Sequence, residues 1–158
     1  MQLGDFFPAS IREAKTEQRL VPGAVLYLPM TFRDGRTKEK FLVVVAAVAP
    51  KLLLLVINSE INPFIAGRPV LNRCQIVVPQ DEHTFLTYDS YLACHEVFPI
   101  DSARIAAELS NDTSRYKGEI SDDMKKKILG VIATGPVTIS PVHRNAITAA
   151  LSQDTVAN

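Results

Sequence analysis

The fold of this chain is decided by the stretch from Phe41 to Ser59, which reads FLVVVAAVAPKLLLLVINS. Two continuous apolar runs flank Pro50, and each is too short to cross a bilayer, which takes roughly 20 apolar residues. Such runs of strand length are typical of strands that are covered on both faces. We therefore predict an antiparallel pair of strands in the core of a small barrel or sheet. A buried helical hairpin is the alternative, which the β-branched residues and the proline disfavour.

Shorter strands are predicted on both sides of this pair. The loop Thr31–Lys40 leads into the first apolar run, and its Asp34-Gly35 pair predicts a tight turn. Asp89 is unusual within a strand, where Asp is depleted, so a bulge, a sheet edge or a carboxylate aimed at a site would explain it. The predicted strands are Ala24–Met30, Gln75–Val78 and Thr84–His95, with an edge strand at Val137–Ile139.

Helices are predicted around this sheet from capping residues and apolar spacing. The clearest helix begins after Ser121, carries the apolar stripe Met124, Ile128, Leu129 and Ile132, and ends at Gly135-Pro136. The other predicted helices are Ser10–Leu20 on the surface, Asp101–Leu109 with Asp101 as N-cap, and a last helix with Ser140 as N-cap and Pro141 at its first position.

Composition limits the function classes. The chain is 47% hydrophobic and 22% charged, and its 17 Lys and Arg balance its 17 Asp and Glu, so any nucleic-acid contact must come from a local patch. Two cysteines, Cys74 and Cys94, are too few for a disulfide framework and are expected to be free buried thiols. No basic segment followed by an apolar run opens the chain, so we expect a cytoplasmic protein without a membrane anchor.

Several segments occur in an order that resembles the PemK/MazF family of toxin–antitoxin proteins. They are the run ending in Val56-Ile57-Asn58-Ser59, then Tyr91–His95, Phe98–Asp101, and Lys117–Ser121 opening the amphipathic helix to Val131. The resemblance covers roughly residues 21–134. It implies a mainly β chain with peripheral helices, in the α+β class, built as a small SH3-like barrel with C-terminal helices. The family also dimerises and includes endoribonucleases that cut single-stranded RNA.

One domain over residues 1–158 is expected on this basis. It would comprise a peripheral N-terminal segment (1–21), the barrel core plus helix (22–134) and a C-terminal helical extension (136–158).

Candidate catalytic residues follow from the chemistry of RNA cleavage, which needs an acid, a base and donors to the phosphate. Lys40 would neutralise the phosphate, Asn58 and Ser59 would donate hydrogen bonds to it, and His95 would be the acid/base group. The expected substrate-binding residues are Arg33, Arg36, Lys38, His83 and Asp89, where His83 is a second acid/base candidate and Asp89 could orient a histidine.

Two functions remain open from the sequence. One is a toxin-type endoribonuclease that needs no cofactor and no metal, since no Cys-x-x-Cys or His-x-x-x-His spacing occurs. The other is a non-catalytic relative that binds protein or nucleic acid, in a mobile-element or phage-defence setting. Lys40-Phe41, where the family commonly has Arg-Pro, and Asn58-Ser59, where it has Thr-Ser, favour the second function, whereas the basic loop beside Asn58-Ser59 supports the first. Single-stranded RNA, an antitoxin-like protein and a second copy of the chain are the expected partners.

Overall fold

The computed structural model of the protein describes residues 20–134 and 138–156. In chain order, its strands are β1 (Ala24–Thr31), β2 (Thr37–Val48), β3 (Lys51–Asn58), β4 (Gln75–Val78), β5 (Ser90–Asp101) and β6 (Tyr116–Glu119). Its α-helices are α1 (Pro63–Ala66), α2 (Pro69–Asn72), α3 (Ser102–Asn111), α4 (Asp122–Ala133) and α5 (Pro141–Val156). The structure is therefore of the α+β class, as the sequence predicts.

The central hairpin is confirmed. Strands β2 and β3 pair antiparallel, from Phe41 opposite Ile57 to Val48 opposite Lys51, and the Ala49-Pro50 turn between them contains a cis peptide bond. This pairing excludes the helical hairpin. The sheet has six antiparallel strands in the order β4-β5-β3-β2-β1-β6, so the hairpin lies at its centre.

Apolar side chains cover both faces of the sheet, which explains why β2 and β3 do not alternate. One cluster lies between the sheet and helices α4 and α5, and the other lies beneath α3. Among the fully buried residues, Val43, Leu55 and Ile147 belong to the first cluster, whereas Leu42 and Leu54 belong to the second.

The helix caps agree with the sequence predictions. The Ser121 hydroxyl accepts a hydrogen bond from the Met124 amide at 3.2 Å, and the Ser140 hydroxyl accepts one from the His143 amide at 3.3 Å. Asp101 precedes α3 as expected, although its side chain makes no capping hydrogen bond. The predicted helix Ser10–Leu20 and the Gly135-Pro136 stop lie outside the described residues, apart from Leu20.

Three predicted boundaries are wrong. Residues 84–89 form turns rather than strand. The Asp89 carboxylate accepts a hydrogen bond from the Gln80 amide at 2.9 Å and thereby holds a polar loop. The strand begins at Ser90 and continues to Asp101. The loop Thr31–Lys40 is shorter than predicted, because Thr31 pairs with Thr37 and only residues 32–36 turn. Thr138 and Ile139 form a turn and a bend instead of an edge strand.

The predicted closed barrel is not confirmed. Within residues 20–134 and 138–156, β4 and β6 form the two edges of the sheet and do not pair with each other. The long strands are nevertheless irregular. Val45 is an extra residue in β2, and in β5 four residues, Cys94 to Val97, stand opposite Leu55 alone.

No helix in residues 20–134 or 138–156 has both the length and the apolar character to span a membrane.

Candidate functional site

A cleft opens at the end of the central hairpin where β2 begins and β3 ends. It consists of two hollows, which we call the first and second hollows, with volumes of about 250 and 530 Å³. Lys40, Asn58 and Ser59 line both of them and therefore form a polar ridge between the two. The sequence expectation that polar residues follow the second apolar run at the mouth of the core is met here.

Lys40 and Asn58 meet because of the register of the hairpin. Phe41 pairs with Ile57, so the residues next to them on the two strands are neighbours, and the Lys40 ammonium donates a hydrogen bond to Asn58 Oδ1 at 3.1 Å. The lysine is half-buried. Burial lowers its pKa below the usual lysine value, and the nearby Lys38 ammonium lowers it further.

The irregular part of β5 brings His95 and Glu96 to the same cleft. In a regular strand these neighbours would point to opposite faces, but both line the second hollow. They lie within the four-residue bulge opposite Leu55, and bulges change the direction of side chains in this way. Burial lowers the pKa of His95, while the Glu96 carboxylate acts in the opposite direction.

Gln75 holds the imidazole of His95 in place. This first residue of β4 has its amide nitrogen 2.9 Å from His95 Nδ1 and 3.1 Å from the carbonyl oxygen of Leu71. The ring is thereby attached to the edge strand and to the end of α2.

Aromatic rings form much of the walls. In the first hollow, Phe41 stacks at a tilt between Tyr27 and Phe85, with ring centroids 4.7 and 5.2 Å apart. In the second hollow, Phe32 and Phe98 meet edge to face at 6.2 Å. Aromatic side chains therefore line the hollows on both sides of the polar ridge.

A third hollow of about 510 Å³ continues the second hollow toward α5. His95 and Glu96 line both, and the third hollow adds Arg33, Ser140 and His143. The Thr138 hydroxyl donates a hydrogen bond to the His95 carbonyl oxygen at 2.5 Å, which attaches the start of α5 to the bulge of β5. Two of the three histidines therefore converge on one cavity, which their separation in sequence did not indicate.

Most of the predicted site residues meet in this region. Lys38, Lys40, Asn58, Ser59 and His95 line the second hollow, and Arg33 lines the third. Arg36 does not line the hollows described here. It lies exposed on the hairpin loop, with its Nε 3.8 Å from Asp34 Oδ2.

His83 and Asp89 are placed away from this cluster and have structural contacts. The His83 side chain is 2% exposed, with Nδ1 2.9 Å from the Pro79 carbonyl oxygen and Nε2 accepting from the Ser121 amide at 3.3 Å. The Asp89 carboxylate binds the Gln80 amide and no histidine. These placements do not support the expected roles of His83 in acid/base chemistry and of Asp89 in orienting a histidine.

The cysteines lie beside the cleft, below its surface. Cys74 and Cys94 are both free and buried, as expected, and the Cys94 amide donates to the Cys74 carbonyl oxygen at 2.9 Å. Burial raises the pKa of both thiols, which keeps them protonated and unreactive. Within the described parts of the chain, no three His, Cys, Asp or Glu side chains are grouped so that they could hold a metal ion.

Sequence reasoning missed Glu96, Gln75 and the aromatic walls. Glu96 follows His95 directly, and strict strand alternation assigns the two side chains to opposite faces. Only the bulge brings the two side chains to the same cleft, and no residue in that segment predicts a bulge. The ring cluster of Tyr27, Phe41 and Phe85 comes from three separate segments, so it depends on the folded sheet.

No protein-family model matches the chain, and a search of curated proteins finds no match to it. The geometry of the cleft is therefore the basis on which its function is argued.

Proposed function

We propose that this protein binds single-stranded RNA in its cleft, as a PemK/MazF-like binding module. The observation that supports this most directly is the position of the Lys40–Asn58 pair, on a ridge between two hollows with aromatic walls. A cation on a ridge with aromatic side chains on either side matches the chemistry of a nucleotide chain, in which each phosphate lies between two bases.

The phosphate would lie on the ridge. Lys40 supplies charge, Ser59 supplies a hydroxyl, and the Asn58 amide group can donate because its oxygen already accepts from Lys40. Lys38 and Arg33 line the adjoining hollows and would neutralise the next phosphates along the strand.

The bases would occupy the hollows. Single-stranded nucleic acid is held by stacking on aromatic side chains next to a positively charged track, and each stacked base contributes about 1–3 kcal/mol. Tyr27 and Phe85, with Phe41 packed between them, would supply such rings on one side, and Phe32 and Phe98 would supply them on the other. Paired RNA could not present its bases to these hollows, so the proposal is specific for unpaired strands.

Fluorescence anisotropy with a labelled single-stranded RNA of mixed sequence tests this proposal. We expect Lys40→Met to weaken binding by tenfold or more. The matched control is Lys51→Met, because Lys51 is exposed at the opposite end of β3 and should have no effect. An unaltered affinity in Lys40→Met, or a wild-type protein that does not bind the RNA, would overturn the proposal.

A second candidate function is cleavage of the bound RNA without a metal ion, as in the toxin-type endoribonucleases. Glu96 is the observation that favours it, because a carboxylate beside the phosphate site could remove the proton of the 2′-hydroxyl. The 2′-oxygen would then bond to phosphorus as a cyclic phosphate, and the bond to the 5′-oxygen would break, with that oxygen taking a proton from water. Lys40 would then stabilise the charge that develops on the phosphate.

Incubation of single-stranded RNA with the protein in a chelator separates the two candidates. Cleavage that is lost in Glu96→Gln while RNA binding is retained would establish the enzyme. If the wild-type protein did not cleave the RNA, the binding module would be the remaining candidate.

Four further proposals accompany this function. The fold is proposed to be related to an SH3-like barrel. The bulges in β2 and β5 support this, because bulges bend strands in the way that a barrel requires. An antitoxin-like protein would compete with RNA for the cleft. The present chain would form a homodimer, which light scattering would test. The cytoplasm is the proposed location.

A further inference from the structure

Gln75 makes two contacts with a single nitrogen, and together they determine which way its amide points. The side-chain nitrogen lies 3.1 Å from the Leu71 carbonyl oxygen and 2.9 Å from His95 Nδ1. An amide NH2 has two N–H groups, so both contacts can be satisfied at once. If the amide were turned over, its oxygen would face the Leu71 carbonyl oxygen, and neither atom can donate. The orientation of the amide is therefore set by Leu71, independently of His95.

This orientation determines the protonation of His95. A ring nitrogen that accepts a hydrogen bond from an N–H group carries no proton itself, so the proton of the neutral imidazole lies on Nε2. His95 lines the second and third hollows, and Nε2 is the ring nitrogen that Gln75 does not hold. We propose that Gln75 is a positioning residue that keeps His95 neutral, with its Nε2 proton available as a hydrogen-bond donor to a ligand in the cleft.

Burial and the Gln75 contact both favour the neutral form of the His95 imidazole. A second proton would place Nδ1–H against the Gln75 N–H group, and burial already lowers the pKa of the ring. The other charged or titratable groups that line these hollows with His95 are Arg33, Lys38, Lys40, Glu60, Glu96 and His143. The three cations among them disfavour an imidazolium, whereas the carboxylates of Glu60 and Glu96 favour it. Burial and the Gln75 contact therefore set the net direction.

The inference changes the role of His95. The sequence suggested an acid/base group, but a histidine that remains neutral and keeps its proton on Nε2 neither accepts a proton from the ligand nor releases one readily. It acts as a fixed donor, comparable in function to the amide of Asn58. That His95 donates to a phosphate oxygen of RNA rests on the proposed function, whereas its protonation state does not.

Nitrogen-15 NMR of the full-length protein with labelled histidines tests the protonation state directly. The chain has three histidines, and the His95 signals are assigned as those absent from a His95→Gln variant. We expect the pattern of a neutral ring with its proton on Nε2, and a titration midpoint below the ordinary histidine value of about 6.5. A proton on Nδ1, or a charged ring at neutral pH, would overturn the inference, and this measurement needs no altered Gln75.

Gln75→Glu tests the positioning role. A carboxylate can only accept, so it should draw the proton to Nδ1 and raise the titration midpoint of His95. Gln80→Glu is the control, because it adds the same charge at an exposed position in the loop before β5. An unaltered His95 pattern in folded Gln75→Glu would show that Gln75 does not control the tautomer.

RNA titration of the same variants separates the two proposals. We expect Gln75→Glu to weaken binding about tenfold, since it moves the proton away from the cleft and adds a negative charge near it. A wild-type protein with the Nε2 proton that does not bind RNA would refute the proposed function alone. An RNA-binding protein with the proton on Nδ1 would refute the inference alone.

Discussion

Lys40 shows how one residue can combine binding and pH sensitivity. Its ammonium is half-buried and bonded to Asn58, and its pKa is lowered first by burial and then by Lys38. The charge that would hold a phosphate is therefore lost at a lower pH than for an exposed lysine.

We expect the affinity for a single strand to fall as the pH rises toward the usual lysine value of 10.5, because the pKa of Lys40 lies below that value. The sign follows because the binding-competent form is protonated. A 2′-O-methylated oligonucleotide, which cannot cleave itself, allows the measurement by anisotropy while circular dichroism monitors the fold. Lys40→Arg, whose guanidinium remains charged, should keep its affinity over this range; an equal fall in both proteins would contradict the assignment.

Gly23 precedes β1 at a close contact between elements. It has φ +98°, its amide donates to the Val44 carbonyl oxygen at 2.6 Å, and a Cβ placed on it would lie 2.6 Å from Cε of the buried Lys125 side chain. Gly35 has a similar φ of +82°, but a Cβ there would meet nothing within 4 Å.

The two glycines form a matched pair for measuring this contact. Gly35→Ala should lower the free energy of unfolding by about 1–2 kcal/mol, the cost of a side chain in left-handed backbone. Gly23→Ala adds the displacement of Lys125 and should cost about 1–3 kcal/mol more. Urea denaturation measures both, and equal losses would show that Lys125 moves aside freely.

At the scale of elements, α5 belongs to the core, although the sequence suggests a C-terminal extension. Ile147 and Leu151 are fully buried in the cluster between the sheet and α4. The start of the helix also lines the third hollow through Ser140 and His143. This helix therefore contributes both to stability and to the wall of the site.

Leu151→Ala should lower the free energy of unfolding by about 2–5 kcal/mol, because it leaves a cavity in a packed core. Val142→Ala in the same helix is the control, since Val142 is 64% exposed and should change stability by no more than about 0.5 kcal/mol. Chemical denaturation gives both values. If Leu151→Ala were as stable as the control, α5 would be only loosely attached.

The sequence was informative about elements and much less so about the site. The apolar runs of β2 and β3 are long enough to predict their pairing, and that pairing alone brings Lys40 to Asn58. The start of β5 was misjudged because the apolar and aromatic residues 85–88 resemble a strand, whereas Asp89 uses its side chain to hold a loop. The joint placement of His95 and Glu96 could not be predicted, since it depends on unequal numbers of residues in β3 and β5.

At the scale of the whole molecule, the formal net charge is zero, so any electrostatic attraction of a ligand depends on local groups of charged residues. The 17 basic and 17 acidic residues cancel, yet Arg33, Lys38 and Lys40 lie around one connected cavity system. The carboxylates of Glu39, Glu60 and Glu96 line the same hollows, so a ligand with negative charge would be attracted to the individual cations and not to the region or the protein as a whole.

This distribution predicts a weak dependence of RNA binding on salt. For single strands, the slope of log K against log salt concentration is about −0.7 for each phosphate neutralised, so three cations give a slope of about −2. Anisotropy titrations between about 50 and 200 mM salt measure it. A slope steeper than about −5 would mean that a much larger surface contacts RNA, and a slope of zero would mean that no phosphate is bound.

The bulge of β5 also determines which polar groups this sheet can place in the cleft. At this point one residue of β3 lies opposite four residues of β5. His95 and Glu96 both line the cavity because β5 contains these extra residues. A shorter β5 could pair without interruption, keep both apolar layers intact, and have no imidazole or carboxylate at that place. A deletion of a few codons in this strand would therefore be enough to remove both groups while leaving the fold in place.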